Sequence, residues 1–113
     1  MSQHHQKEDK EYPSDRVKAI LNMSRALWGE VSPALRSASV KWDDSAVYLY
    51  FFYDGKISEE DNESAECVAT EFIASYPDHN LEVNIIRLDY PQKVPEEGEL
   101  VYKRREAKPQ NEV

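Results

Sequence analysis

The spacing of apolar residues along the chain alternates between helical and strand periods, with turn residues between. Helical spacing begins at "PSD": Val17, Ile20, Leu21, Ser24, Leu27 and Trp28 share one side of a helix. Ser14 is placed to cap that helix and Asp15 to meet its dipole, while Gly29 and Pro33 bracket its end. Two-residue alternation follows. "LRSASVKW" and "VYLYFFY" flank Asp43, Asp44 and Ser45, which predicts a β-hairpin over 34–54. With Trp42 opposite Val47, Val40 faces Leu49 and Ala38 faces Phe51, a coherent apolar face. The reverse face then holds Ser37, Ser39 and Lys41 against Tyr48, Tyr50 and Phe52.

A second helix is expected from about Ser58 to Tyr76, with the stripe Ala65, Val68, Ala69, Phe72, Ile73 and Tyr76 and a stop at Pro77. In "LEVNIIRLDY" the alternation Leu81, Val83, Ile85 shifts to Ile86 and Leu88, predicting a bulge or a strand covered on both faces. "PQKVPEEGE" leads into a short fourth strand, "LVYKR". The order α-β-β-α-β-β predicts an α+β two-layer sandwich: a mainly antiparallel four-stranded sheet with two helices on one face. It is also the order of a circularly permuted ferredoxin-like fold, with the fourth strand in the slot of the usual first one. Either version accommodates a right-handed crossover from the second strand through the second helix to the third. Residues 1–12 and 105–113 are polar and aperiodic and read as disordered tails around a single domain, 13–104.

Composition narrows the function. A chain of 113 residues holds one core. It has no bilayer-length apolar run and no apolar segment near the N-terminus, so neither a membrane span nor a secretory signal is expected. The single cysteine, Cys67, excludes an internal disulfide and fits a reducing cytoplasm. The net charge is −8. The two polar ends nearly cancel (Lys7 and Lys10 against Glu8, Asp9 and Glu11; Arg104, Arg105 and Lys108 against Glu106 and Glu112), so the acidity belongs to the domain. Such a surface repels phosphate backbones, which argues against nucleic-acid binding, and favours a protein partner with a basic surface.

The stretch "FFYDGKISEED" looks like the second half of a calcium-binding EF-hand loop. With Asp54 at loop position 5 and Gly55 at position 6, positions 1 and 3 fall on Tyr50 and Phe52, which cannot supply the required carboxylates. The better reading is a strand ended by Asp54-Gly55 and a capping box in which Ser58 caps and Asp61 replaces the usual Glu. His4 and His5 fall in the N-terminal tail, His79 in a loop, and Cys67 among Glu60, Glu63 and Glu71, where a thiolate is disfavoured. There is no nucleophile elbow, P-loop or dinucleotide fingerprint, and the only glycines are Gly29, Gly55 and Gly98. No catalytic residue, metal site or cofactor is expected, and the chain reads as a non-enzyme.

Two surfaces remain as candidates for partner binding. Glu59, Glu60, Glu63, Glu66 and Glu71 lie on the side of the second helix away from the core, and no Lys or Arg occurs between Glu59 and Tyr76. They form either a solvated face or a ridge that meets a basic partner. Tyr48, Tyr50 and Phe52 would form an aromatic sheet face, suited to docking a protein or to pairing with itself in a homodimer, unless a loop, the C-terminal tail or a second copy covers it. A self-associating structural role and a small-ligand-binding domain on that face are the alternatives.

The motifs "LWGE", "WDD", "YDGKISEED" and "IIRLDYP" carry a family likeness. Over roughly residues 27 to 103 the chain resembles small bacterial proteins found beside polymorphic or contact-dependent toxins, which look like immunity proteins. The resemblance implies a cytoplasmic, non-enzymatic protein that blocks a cognate toxin. Many such toxins are basic nucleases, which an acidic inhibitor would suit.

Overall fold

The computed structural model describes residues 15–107. Ser14, the expected cap of the first helix, and the polar stretches 1–12 and 108–113 lie outside the described residues. The elements are α1 (Asp15–Ala26), β1 (Leu35–Trp42), β2 (Ala46–Tyr53), α2 (Glu59–Ile73), β3 (Asn80–Arg87) and β4 (Glu99–Lys103), in the expected order. The sheet order is β3-β2-β1-β4.

The hairpin adopts the register its apolar pattern dictates: Trp42 opposite Val47, Val40 opposite Leu49, Ala38 opposite Phe51. At its turn, Asp43 Oδ1 accepts hydrogen bonds from the Ser45 and Ala46 amides, each 2.9 Å long. The side chain thus supplies an acceptor where the ladder ends. Those backbone donors also hold the Asp43 carboxyl below its usual range.

The sheet is mixed, which corrects the expectation of a mainly antiparallel one. β1 pairs antiparallel with β2 and with β4, but β3 pairs parallel with β2. The reason lies in which slot β4 fills. In a permuted ferredoxin-like sheet it would lie between β2 and β3, leaving each antiparallel to it. Here β4 joins the far edge beside β1, so the crossover through α2 sets β3 directly against β2, and two strands joined by such a crossover run parallel. Of the two expectations for β3, a bulge or cover on both faces, the bulge is absent: the pairing runs unshifted from Asn80 to Arg87. Ile86 simply points to the other face, opposite Phe52, and the bulges fall elsewhere, at Arg36 in β1 and at Val101 in β4.

One core fills the space between the helices and the sheet. It joins Ala19, Met23, Ala26 and Leu27 from the α1 segment to Ala65, Val68, Ala69 and Phe72 of α2, over Ala38, Val40, Val47, Leu49, Phe51 and Tyr53. α2 buries the stripe its spacing predicts, and Ser58 caps it, its hydroxyl accepting from Asp61 N at 2.9 Å. α1 does not. Val17, Leu21 and Trp28, expected on the core side, are 41%, 54% and 75% exposed. The helix is instead turned to bury Ala19, Met23 and Ala26. Small side chains there let its backbone approach the sheet and α2, which the bulkier stripe would prevent.

Candidate protein-docking surfaces

β3 and β4 occupy opposite edges, so the connection between them must span the sheet. Residues 90–98 pass over the face that the helices leave open and enclose, with β1 and β4, a cavity of about 720 Å³ lined by Arg36, Ser37, Ser39, Tyr90, Leu100 and Lys103 among others. This explains why β1 is buried from Leu35 to Val40 on both of its faces, Ser37 and Ser39 included. Gly98 seats the end of the span. Its φ is 69°, and a Cβ there would collide with the Val40 carbonyl oxygen and stand 2.9 Å from Lys41 Cβ.

An ion network fastens the same corner. Arg36, only 3% exposed, donates to both Glu106 oxygens at 2.7 and 3.1 Å and to the Leu88 carbonyl at 2.7 Å. Arg104 shares Glu106 at 3.0 Å and reaches Asp54 at 2.7 Å and the Pro33 carbonyl at 2.8 Å. Asp54 also accepts from Tyr90 N, and Asp89 accepts from Gly55 N and from Arg87. The hydrogen bond from Arg36 holds the Glu106 carboxyl below its usual range, and that from Arg104 does so for Asp54. The Asp-Gly that resembles a calcium loop therefore spends its carboxylate on Arg104 and Tyr90. Glu106, beyond the boundary expected at 104, belongs to the folded part.

The aromatic face is accordingly not the open surface its sequence suggests. Phe52 is 3% exposed. Tyr48 and Tyr50 remain half-buried, and the Lys41 ammonium sits 5.5 and 5.9 Å from their ring centres while reaching Glu97 at 3.6 Å. The nearby Asp43 carboxylate raises the Tyr48 phenol above its ordinary pKa.

The glutamates of α2 are different. Glu59, Glu60, Glu63, Glu66 and Glu71 are all exposed, with Cys67 among them, and among the described residues none forms a salt bridge. α1 lies antiparallel beside this helix. Its first turns meet the end of α2, where Asp15 and Ala19 line a pocket with Phe72 and Tyr76 and Lys18 sits over the Tyr76 ring, and Asn22 donates to the Tyr76 hydroxyl at 3.4 Å. Its C-terminal end lies at the start of α2, where the charges of Glu30 and Asp61 both act on the Tyr53 phenol. The outer side of the helical layer thus carries two parallel ridges, one acidic and one apolar. Sequence reasoning missed the second because it assigned Leu21 and Trp28 to the core. The available signal was Ala19, Met23 and Ala26, a quieter stripe of equally helical spacing.

Among the described residues no three His, Cys, Asp or Glu side chains gather as a metal-ligand set, and no helix is long and apolar enough to cross a membrane. A buried sheet corner locked by ion pairs and an outer layer of unpaired charge and exposed apolar side chains define a small α+β domain whose distinctive chemistry lies on its surface. A family model of MafI2 immunity proteins matches residues 16–106, and the chain belongs to that family. Membership implies a toxin-neutralising role and a protein partner, the toxin. A search of curated proteins finds no match.

Proposed function

We propose that this protein neutralises its cognate toxin by stoichiometric binding in the cytoplasm, without chemistry of its own, and that the α2 glutamates meet a basic surface on the toxin. The observation that carries this reading is the unpaired ridge of Glu59, Glu60, Glu63, Glu66 and Glu71. Like-charge neighbours at i,i+3 and i,i+4 cost about 0.2–0.5 kcal/mol per pair, a cost that no salt bridge among the described residues offsets. A cationic partner would recover it and gain in encounter rate. The same charge disfavours nucleic acid as the target.

Tyr48 and Tyr50 make a second docking surface, with the buried Phe52 next along the same face of β2. They lie on the opposite side of the sheet from α2, so one flat contact cannot cover both surfaces. The triple reversal Glu60→Lys, Glu63→Lys, Glu66→Lys is expected to abolish toxin binding and protection. Unchanged affinity would move the interface to the tyrosine face, where Tyr50→Asp is the corresponding disruption. Sedimentation of the wild type at high concentration tests the remaining reading, a homodimer through that face.

A further inference from the structure

An exposed tryptophan beside an acidic helix has a use that the glutamates alone do not reveal. Leu21 and Trp28 are seven residues apart, so on a helix they point within about 20° of one another. The α1 ladder continues far enough to place both: Leu27 N donates to Met23 O, and Trp28 N to Arg25 O, each at 3.1 Å. The side chains that face the core are Ala19, Met23 and Ala26, which puts Leu21 and Trp28 on the far side of the helix. Val17, 41% exposed, extends the same line toward the N-terminus. The first turns of α1 pack at the end of α2, with Asp15 and Ala19 beside Phe72 and Tyr76, so the Trp28 end of α1 is directed toward the earlier turns of α2, which hold Glu59, Glu60 and Glu63.

We propose that Leu21 and Trp28 are the apolar anchor of the toxin interface, and that the toxin surface they fit is an apolar pocket bordered by Lys and Arg. This rests on the toxin-binding reading above. Packed helices run about 8–10 Å apart, so the partner's pocket and its basic rim stand one helix spacing from each other. The two ridges divide the work. Long-range attraction by the glutamates accelerates encounter, and desolvation of a large aromatic side chain slows release.

Binding of the full chain to the toxin domain encoded by the adjacent open reading frame tests this, with both rates measured over a range of salt concentrations. The double variant Trp28→Ala, Leu21→Ser is expected to bind about thirtyfold more weakly or worse, through a faster dissociation rate, with association and its salt dependence unchanged. Glu60→Lys with Glu63→Lys is expected to slow association and flatten its salt dependence. If the wild type binds and the double variant binds equally well, the anchor is overturned while the toxin-binding reading stands. If the wild type does not bind, both fall. A wild-type dimer that the double variant converts to monomer, with toxin affinity intact, would make a second copy the occupant and overturn the proposal. One measurement does not depend on how the variant folds. In the unsubstituted chain labelled with 5-fluorotryptophan, the ¹⁹F resonance of Trp28 should shift or broaden on addition of toxin, and an unmoved resonance overturns the anchor.

Discussion

At Gly98 the span from β3 comes to rest against the backbone of β1, and the residue combines a positive φ with no room for a Cβ. Gly98→Ala meets both obstacles at once and is expected to cost about 1–3 kcal/mol, measured by urea denaturation. Gly29 and Gly55 have similar φ values but open space around them, so alanine there meets the strain alone. Arg36 raises a different residue-level question. Its guanidinium is buried, with Glu106 taking two donors and Leu88 O a third. Glu106→Gln removes the countercharge while nearly preserving shape, and should lower stability by about 1–3 kcal/mol in the same assay. A neutral result would mean that the C-terminal segment contributes little to holding the corner.

At the scale of elements, the two helices show why stripe-counting succeeds on one and fails on the other. In α2 the apolar residues form a single stripe, so the buried face has no competitor. In α1 two stripes of helical spacing exist, and hydrophobicity alone favours the bulkier one. Packing reverses that preference, because the space against α2 and the sheet admits alanines and a flexible methionine. The acidic side of α2 also makes a prediction about stability. Glu63 has like-charged neighbours at Glu59, Glu60 and Glu66, so Glu63→Gln should raise the melting temperature slightly, by the equivalent of about 0.5–1 kcal/mol. The same change should weaken toxin binding, the expected pattern for charges kept for a partner rather than for the fold.

The whole molecule carries its ionic lock at one corner of the sheet and its unpaired charge on the opposite layer, which sets its response to pH. Glu106, Asp54 and Asp89 are held below their usual carboxyl range by Arg36, Arg104 and Arg87, respectively. Their stabilisation is therefore complete at neutral pH and is lost as pH falls below about 4.5 toward their folded values. Tyr53 acts at the other extreme. Burial, with the charges of Asp61 and Glu30, pushes its phenol up to about 12, against 10.0 for a free tyrosine. The unfolded chain ionises first, so stability should fall as pH rises from 10 toward 12. Thermal melts across pH 2–12 check both limbs, and Tyr53→Phe should remove the part of the alkaline loss due to this side chain.

The element order, the hairpin register, the α2 stripe and the Ser58 cap could all be read from the sequence, because each depends on residues close along the chain. The acidity of the α2 surface was legible for the same reason. Tertiary structure decided what depends on distant partners. It placed β4 at the outer edge of β1, made β2 and β3 parallel, and drew the 90–98 span across the outer face of β1 and β4. It also joined Arg36 to Glu106, 70 positions away, and turned α1 so that Trp28 faces outward. Periodicity specifies which residues share a side of an element. Only the competition among close-packed neighbours decides which side is buried.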